Sequence, residues 1–227
     1  LSNISGFTNV WAEFAANMVI AGGNLSLTAI GGTLGGRVTI ASGVTVAEYR
    51  YLTAIGFPLD TTLVQANIQN STVLNNGGTI LGGVVFFDGD DHYNGVAGNA
   101  AFVHGNAGND LLEGGAAIDD LRGDAGADTL RGNGGNDRLS GGSGRDNLAG
   151  GEGEDTLDGG IDADVLNGGL GNDALDGGSN VDTAFVRGLR SAYTVTQTST
   201  GVFQVTGADG TDTLTAIEFL QFDDQIL

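Results

Sequence analysis

A nine-residue pattern recurs without interruption from residue 105 to residue 182, and it constrains the fold of this chain more than any other feature. Glycine predominates at positions 1, 2 and 4 of the unit, aspartate at position 6 and leucine at position 8, as residues 132–140 and 141–149 illustrate. A self-similar unit of this kind is typical of a solenoid, in which each repeat packs only on its neighbours. The repeat therefore indicates the fold class before any single residue is considered.

The residue types at each position of the unit predict its local structure. Glycines at positions 1, 2 and 4 permit the positive φ angles of a tight turn, and Asn and Asp are the replacements that best tolerate them. The replacements found are Asn106, Asp124, Asn133, Asp162 and Asn180. Positions 7 to 9 alternate outward, inward and outward, as in Thr129, Leu130 and Arg131, which predicts a very short strand. Two units therefore make one coil, because a single turn only reverses the chain.

The leucines at position 8 are expected to form two files that close a thin core. A fully buried leucine contributes roughly 1.5–3 kcal/mol, whereas ordering the backbone costs roughly 1–2 kcal/mol per residue. Each leucine must offset this cost for a unit of nine residues. Apolar burial alone is therefore too weak to hold the repeats folded.

The aspartate at position 6 offers a further source of stability. The first row, with members eighteen residues apart, is Asp110, Asp128, Asp146, Asp164 and Asp182, and the second is Asp119, Asp137, Asp155 and Asp173. Stacked coils lie about 4.8 Å apart, so the carboxylates of a row repel strongly unless a cation lies between them. Calcium suits such oxygen ligands better than magnesium, which demands octahedral geometry. Zinc is disfavoured because the chain has no Cys and only two His.

The unit resembles the RTX, or hemolysin-type, calcium-binding nonapeptide Gly-Gly-x-Gly-x-Asp-x-apolar-x. The resemblance implies a right-handed parallel β-roll in which calcium lies between coils. Its ligands would be position-6 carboxylates eighteen residues apart together with main-chain carbonyls. On this chain the first row has four gaps and the second has three, so the resemblance implies about seven ions.

The resemblance also implies which main-chain carbonyls are ligands. They belong to Gly123, Ala125, Gly132, Gly134, Gly141, Gly142, Ser143, Gly144, Gly150, Gly151, Glu152, Gly153, Gly160, Asp162, Gly169 and Gly171. Two units depart from the pattern: Ala117 replaces the fourth glycine before Asp119, and Ala184 takes the leucine position after Asp182. The two ends of the tract are thus its least regular parts.

The repeats are strongly acidic, which limits the partners of the chain. Residues 105–182 contain fourteen Asp and three Glu against four Arg, and the whole chain of 227 residues has a formal charge of −20. Nucleic acid and anionic membranes are therefore disfavoured, and the segment is expected to stay expanded until cations bind. The chain has no apolar run long enough for a membrane span and no amino-terminal signal peptide. Because it begins at Leu1, it is expected to be a fragment of a longer protein.

Residues 1–88 are less acidic and more apolar than the repeats. The stretches 24–28, 36–40, 43–46 and 82–87 predict short strands separated by Gly and Asn turns. We expect an irregular parallel β-helix, with a β-sandwich as the alternative and a helix over residues 10–20. Residues 75–85 resemble the coil repeats of large secreted β-solenoid proteins.

Residues 89–104 form a degenerate repeat junction. The candidate ligands for an additional metal ion at its start are Asp88, Asp90 and Asp91. Here Asp91 takes position 6 and Tyr93 is expected to face inward, with a solvated acidic loop as the alternative. Ala100 replaces the acid of the next unit, and one inserted residue before Gly105 shifts the phase. The segment is not an EF-hand, because Asn99 stands where the final bidentate Glu is required.

Catalysis has little support in the sequence. The only histidines, His92 and His104, are expected in loops that lead into the repeats, and the paired carboxylates all belong to the repeat itself. The glycine clusters contain no Lys and lead into strands, so they do not form a phosphate-binding loop. We therefore expect a module without catalytic residues.

Residues 183–227 predict a carboxy-terminal β cap, which a roll needs to cover its open last coil. Residues 191–197 and 201–206 are expected to pair as a hairpin. Residues 211–222 are expected to form one final strand that buries Ile217, Phe219 or Leu220, and Phe222. The segment also resembles the carboxy-terminal segment of RTX proteins exported by type I secretion, so residues 223–227 are either part of an export signal or a capping strand.

Together these features favour a non-catalytic calcium-binding module of a larger secreted bacterial protein. Where calcium is scarce the repeats would stay unfolded and pass through a secretion channel, and calcium outside the cell would condense them into the roll. The expected partners are calcium and the type I secretion machinery, and the expected location is extracellular or at the cell surface. One alternative is an accessory module of a polysaccharide-modifying enzyme, in which residues 1–88 help to bind glycan. Another is a fragment of a calcium-dependent surface-layer or biofilm adhesin.

Overall fold

The computed structural model is an all-β solenoid of stacked, mostly parallel strands. It describes residues 9–12, 18–20, 24–30, 37–40, 45–52, 63–65, 73–76, 79–80, 83–86, 88–95 and 102–227, with side chains from residue 84 onward. The helical element in these ranges is a single 3₁₀ turn, η1, at Arg190–Ala192. No helix of the described residues is long and apolar enough to cross a membrane.

Two ten-stranded sheets form the two sides of the solenoid, and a four-stranded sheet belongs to the amino-terminal region. Sheet 1 contains, in spatial order, β2 (Met18–Ile20), β4 (Arg37–Ile40), β7 (Val73–Asn76), β10 (His92–Asn94), β12 (Leu111–Glu113), β14 (Thr129–Gly134), β16 (Asn147–Glu152), β18 (Val165–Leu170), β20 (Thr183–Phe185) and β24 (Phe219–Gln221). Sheet 2 contains β6 (Leu63–Gln65), β9 (Gly83–Val85), β11 (Val103–Ala107), β13 (Asp120–Ala125), β15 (Arg138–Ser143), β17 (Thr156–Ile161), β19 (Ala174–Ser179), β23 (Gly210–Thr215), β22 (Val202–Gly207) and β21 (Thr194–Ser199). Sheet 3 contains β1 (Asn9–Ala12), β3 (Asn24–Ile30), β5 (Thr45–Leu52) and β8 (Thr79–Ile80).

Successive strands of the repeats alternate between sheets 1 and 2, which confirms that two units make one coil. Leu121 therefore pairs with Leu139, and Leu139 with Leu157, each eighteen residues further along the chain. The inward side chains form two files. In sheet 2 the file is Val84, Val103, Leu121, Leu139, Leu157, Leu175 and Leu214, and in sheet 1 it is Tyr93, Leu112, Leu130, Leu148, Leu166, Ala184 and Leu220. All these side chains are buried.

The strands of the repeats are longer than the three residues predicted. Most have six residues and include positions 1 to 3 of the following unit, as β15 and β17 do. The glycine positions extend the ladder, because Gly142 pairs with Gly160 in the same register as Leu139 with Leu157. In these units only positions 4 to 6 lie outside the strands, although the chain also turns at position 2, where φ is positive.

The amino-terminal region has strands where a helix was predicted. Residues 10–20 include parts of β1 and β2, so the predicted helix is wrong; residues 13–17 lie outside the described ranges. Val10, Trp11, Val19 and Ile20 have side chains that favour strands, and each pairs in a parallel sheet. The strand pairs of this region are parallel, which confirms the predicted β-helix and excludes a β-sandwich for these strands.

The junction keeps both files of inward side chains in register despite the inserted residue. Val84 and Tyr93 are nine residues apart, whereas Tyr93 and Val103 are ten apart. The additional residue falls between β10 and β11, where residues 96–101 lie outside the described ranges. Asn99 and Ala100, for which the sequence gives predictions, are among these residues. Tyr93 is fully buried in the file of sheet 1.

The carboxy-terminal cap differs from the prediction in its last strand. The predicted hairpin is confirmed, since β21 and β22 pair antiparallel and β22 continues to β23. Residues 211–222, however, form two strands in different sheets, because β23 pairs with β19 and β24 pairs with β20. A corner at Ala216, whose φ is 51°, takes the chain from one sheet to the other. Consequently Leu220 and Phe222 are buried, whereas Phe219 is exposed and Ile217 is partly buried.

The final residues fold back on the cap. Gln221 and Ile226 form an antiparallel bridge, and the main chains of Leu220 and Leu227 exchange two hydrogen bonds of 2.8 and 3.1 Å. Asp223 and Asp224 accept hydrogen bonds from the main-chain N–H groups of Gly188 and Arg190. Residues 223–227 therefore contribute to the cap.

Candidate metal centre

Each position-6 aspartate lies immediately before a strand of the roll. Their side chains point inward at the corners, and none exposes more than 2% of its surface. They are Asp110, Asp119, Asp128, Asp137, Asp146, Asp155, Asp164, Asp173 and Asp182. The structure thus places the predicted residues in two buried rows, one at the corner before each sheet. Charged side chains are seldom buried in this way unless they have a partner.

Within each row, one oxygen of every carboxylate has a fixed partner. The main-chain N–H of Asp137 donates to Oδ1 of Asp155 at 2.8 Å, and the N–H of Asp155 donates to Oδ1 of Asp173 at 2.9 Å. The first row repeats this geometry at 2.7 to 2.8 Å, for example from Asp128 to Asp146. Each coil therefore orients the carboxylates of the coil that follows it.

The second oxygen of most of these carboxylates has no hydrogen-bond partner among the described residues. Oδ2 is buried and has no hydrogen-bond partner among the described residues in Asp110, Asp128, Asp137, Asp146, Asp155, Asp164, Asp173 and Asp182. An unsatisfied buried carboxylate oxygen loses its hydration without compensation, which is strongly unfavourable. Two rows of such oxygens are the feature of the described residues that most clearly indicates a cation-binding site.

The glycine at position 1 leaves space for these oxygens. This role was not predicted from the sequence. Positive φ angles occur at positions 2 and 4, including at Asn133 and Asp162, but not at the position-1 glycine Gly132. A β-carbon on Gly132 would instead overlap Oδ2 of Asp137 and approach the carbonyl oxygen of Gly150 to 2.6 Å. The prediction of a positive φ at position 1 is therefore wrong: this glycine is required by space.

The same observation identifies carbonyl oxygens that border the space beside the position-1 glycine, as the carboxylates do. They belong to the position-1 glycine of the next coil, at 2.6 to 2.9 Å from the β-carbon position of the preceding one. These carbonyls belong to Gly123, Gly132, Gly150, Gly159, Gly168 and Gly177. The first three are among the predicted ligands, whereas Gly159, Gly168 and Gly177 were missed although they occupy the same position of the unit.

The other predicted carbonyls lie in the strands and corners around the rows. The carbonyl oxygens of Ala125, Ser143 and Glu152 each accept a main-chain hydrogen bond from a position-4 glycine of the preceding coil. Those of Gly134, Gly141, Gly142, Gly144, Gly151, Gly153, Gly160, Asp162, Gly169 and Gly171 belong to the same stacked coils. A carbonyl oxygen has two lone pairs, so one hydrogen bond does not prevent it from binding a cation.

The irregular unit before Asp119 has a different corner. Neither Gly115 nor Ala117 has a positive φ, unlike positions 2 and 4 elsewhere. The N–H of Gly115 donates instead to Oδ2 of Asp119 at 2.8 Å. The carboxylate at this end of the second row is therefore partly satisfied by its own corner.

At the start of the first row, Asp91 continues the ladder. Its side chain is 3% exposed, and its N–H donates to Oδ1 of Asp110 at 2.7 Å. Asp90 is exposed and accepts hydrogen bonds from the main chain and side chain of Asn109, and Asp88 is exposed. Only Asp91 of the three candidate ligands is thus placed in a row.

Burial dominates the electrostatics of both rows. It raises the pKa of Asp137 and Asp146 to about 7 and that of Asp155 to about 6, against the lowering effect of the main-chain hydrogen bond. Neighbouring carboxylates raise these pKa values further, as Asp155 does for Asp137. A cation between the carboxylates would oppose both effects, since it would favour the ionised form.

The donor set fits a hard cation that accepts main-chain ligands. No group of three or more His, Asp or Glu side chains suited to a metal ion occurs among the described residues. A site in the rows must therefore combine two carboxylates with carbonyl oxygens, which is the kind of ligand set that calcium binds at about 2.3–2.6 Å. The buried Oδ2 atoms and the position-1 carbonyls supply such a set at most of the gaps.

The two histidines take no part in the rows. They lie on strands β10 and β11 rather than in the predicted loops. His92 Nε2 is 3.4 Å from Glu113 Oε2, and His104 Nδ1 is 3.4 Å from Asp124 Oδ2. Both contacts lie on the outer surfaces of the sheets.

Replacing a position-1 glycine tests whether the space beside the carboxylate is needed. In Gly132→Ala the new methyl group would displace Oδ2 of Asp137, so we expect a loss of about 1–3 kcal/mol in the free energy of unfolding. Gly134→Ala is the matched control, because its β-carbon would meet only atoms at 3.7 Å or beyond, at a φ that alanine can adopt. Equilibrium unfolding in urea measures both, and equal midpoints would contradict the proposed crowding.

The raised pKa values predict how the stability of the cation-free roll depends on pH. A folded-state pKa above the ordinary aspartate value means that the folded chain binds protons more tightly than the unfolded chain. This stabilisation is complete below about pH 4 and is lost as the pH rises through about 6 to 7. With a chelator present, we therefore expect a larger β signal in circular dichroism at pH 5 than at pH 8. A β signal that stays constant or increases towards pH 8 would refute this expectation.

Comparison with known protein families agrees with this geometry. The family model of the RTX calcium-binding nonapeptide repeat matches in four copies, over residues 102–121, 113–148 and 149–184. No curated protein matches the chain. The matched residues include all nine position-6 aspartates and the coils that bury them. Residues 102–184 therefore form a calcium-binding β-roll of RTX nonapeptide repeats.

Proposed function

We propose that this chain is a non-catalytic module that folds when extracellular calcium binds between its coils. The observation that carries the proposal is the pair of rows of buried carboxylates, eight of which have an Oδ2 without a partner among the described residues. Calcium ions in the gaps of the rows would be held by the position-6 carboxylates and by carbonyl oxygens of the coils. The position-6 aspartates are the proposed metal ligands, with about seven ions in the rows of the repeats.

The energetics of the roll make calcium the main source of its stability. Each unit buries a single side chain of the core file, a leucine in all but the last unit, while the backbone of the whole unit must be ordered. Each unit also buries a carboxylate, which without a cation adds desolvation and repulsion between coils. Binding energy then becomes folding energy, because the unfolded chain has no preformed site.

Folding that depends on calcium is compatible with export from a compartment that contains little calcium. An acidic chain without bound cations stays expanded and can be threaded through a channel. Calcium at roughly millimolar concentration, as extracellular sites require, would then fold it outside. We propose that the parent protein is exported by the type I secretion machinery of a bacterium and that its carboxy-terminal segment takes part in export. The resemblance of residues 210–223 to the end of exported RTX proteins supports this.

The histidine contacts support a module without catalytic residues. The proposed role of His92 and His104 is to pair with Glu113 and Asp124 across neighbouring strands, at 3.4 Å in each case. Glycan binding by residues 1–88, as part of a polysaccharide-modifying enzyme, stays a prediction because the side chains before residue 84 are not described. The adhesin alternative also stays a prediction.

A calcium titration from a chelated start tests the folding proposal. We expect a cooperative gain of β signal in circular dichroism with calcium, and little gain with magnesium at the same concentration. Asp137→Asn/Asp155→Asn should shift the midpoint to higher calcium concentration, because it removes two buried row carboxylates. A chain that is equally folded with chelator and with calcium would refute the proposal.

The matched control for this titration is Asp158→Asn/Asp176→Asn. These two aspartates are also eighteen residues apart on paired strands, but they are exposed. The control therefore removes the same charge without touching a row, and its midpoint should stay close to that of the unaltered chain. An equal shift of the calcium midpoint in both double variants would show that the midpoint depends on net charge and not on the rows.

The secretion proposal has a separate test. We expect the chain to accumulate in the culture medium of bacteria that carry a type I secretion system for RTX proteins. It should remain inside otherwise identical cells whose channel protein has been deleted. Equal amounts in the two media would refute export by this route and leave calcium-dependent folding unaffected.

A further inference from the structure

The second row of carboxylates continues beyond the repeats into the cap. After the hairpin of β21 and β22, the chain returns to sheet 2 with Gly210-Thr-Asp212-Thr-Leu214-Thr, which has the spacing of positions 4 to 9 of a unit. Gly210 has a φ of 142°, close to the 136° of the position-4 glycine Gly171. Leu214 pairs with Leu175 in the core file. Residues 210–215 thus form the second half of a repeat unit, separated from the others by the hairpin.

Asp212 takes the place of a position-6 aspartate in this half unit. The N–H of Asp173 donates to Oδ1 of Asp212 at 3.1 Å, which is the same bond that joins successive aspartates within the repeats. The N–H of Thr213 donates to the carbonyl oxygen of Asp173 at 2.8 Å, as that of Thr156 does to Asp137. Asp212 is 8% exposed. It extends the second row by one carboxylate.

The first row ends in a glutamate of the cap. The N–H of Asp182 donates to Oε2 of Glu218 at 2.8 Å, and Leu220 pairs with Ala184 in the file of sheet 1. From Leu175 to Ala184 the chain has nine residues, whereas from Leu214 to Leu220 it has only six, so the corner of the cap is three residues shorter. The additional methylene of Glu compensates for part of the shorter corner. The carbonyl oxygen of Ala216 lies beside Gly177, where the repeats place a position-1 carbonyl.

The last aspartates of both rows are buried like those between coils, although Glu218 itself is an exposed residue. Asp173 and Asp182 expose 2% and 0% of their surfaces, and the Oδ2 atom of each has no partner among the described residues. The next carboxylate of each row belongs to the cap. From these observations we infer that calcium also binds between Asp173 and Asp212 and between Asp182 and Glu218, and so fastens the cap to the roll.

This inference rests on the proposed binding of calcium by the rows and adds two sites to those of the repeats. The paired carboxylates are 39 and 36 residues apart in the chain, against 18 within the repeats. These two ions can bind only when the hairpin has folded and brought the chain back to the last coil. Calcium binding and cap folding are thereby coupled at this end of the molecule.

Counting bound ions tests the inference. Native mass spectrometry of the whole chain, with calcium in excess, should give two fewer ions for Asp212→Asn/Glu218→Gln than for the unaltered chain. The amides can still accept the hydrogen bonds from the N–H groups of Asp173 and Asp182, so the register of the cap is kept. The same number of ions in both chains would overturn the inference.

The matched control is Asp223→Asn/Asp224→Asn, which removes two carboxylates of the cap that lie outside the rows and are exposed. It should bind as many ions as the unaltered chain. If the double variant in the rows loses all its calcium, the single variants Asp212→Asn and Glu218→Gln test the inference instead. Each should bind one ion fewer than the unaltered chain. Single variants that keep every ion, or that lose all of them, would overturn the inference. An unaltered chain that binds no calcium would instead refute the proposed function.

Discussion

The burial of stacked carboxylates is the interaction on which the whole roll depends. Apart from Asp119 at the start of the second row, each position-6 carboxylate has one oxygen held by an N–H of the preceding coil, and this bond fixes the distance and register between coils. In eight of these carboxylates the other oxygen is buried without a hydrogen-bond partner among the described residues, which is the arrangement that the proposed calcium ions would satisfy. The glycines follow from this arrangement, since position 1 must leave space and positions 2 and 4 must turn the chain. The positions of the glycines and of the carboxylates therefore depend on each other.

Much of this arrangement could be predicted from the sequence, because the same pattern of residues recurs in each unit. The eighteen-residue coil, the leucine files and the positive φ at Asn133 or Asp162 follow from residue type and spacing alone. The spatial role of Gly132 could not be predicted in this way, because a glycine needed for space and one needed for its φ look identical in a sequence. The predicted carbonyl ligands include only part of the position-1 glycines for a similar reason, since main-chain oxygens carry no sequence signal, and their role as ligands stays a prediction.

The cap shows where a local reading of the sequence fails. Residues 211–222 have the alternation of one strand, but their partners lie in two sheets, and only the corner at Ala216 reveals the change. Asp212 had a recognisable signal, since Gly210, Asp212 and Leu214 keep the spacing of a unit. Glu218 had none, because the shortened corner removes it from the nonapeptide register. In the amino-terminal region, the strands over residues 9–12 and 18–20 were missed because tertiary pairing overrides a weak helical pattern.

The one-way hydrogen bonds of the rows give the roll two unlike ends. At each gap the earlier coil donates and the later coil accepts, so one end of a stack presents free acceptors and the other presents free donors. The carboxylates of the cap accept hydrogen bonds from the donor end. At the acceptor end of the second row, the N–H of Gly115 donates to Asp119. Duplicating eighteen residues in the middle would add one coil and leave both ends intact, whereas duplicating nine would exchange the two rows at the cap. The length of such a roll can therefore change during evolution in whole coils without any redesign of its ends.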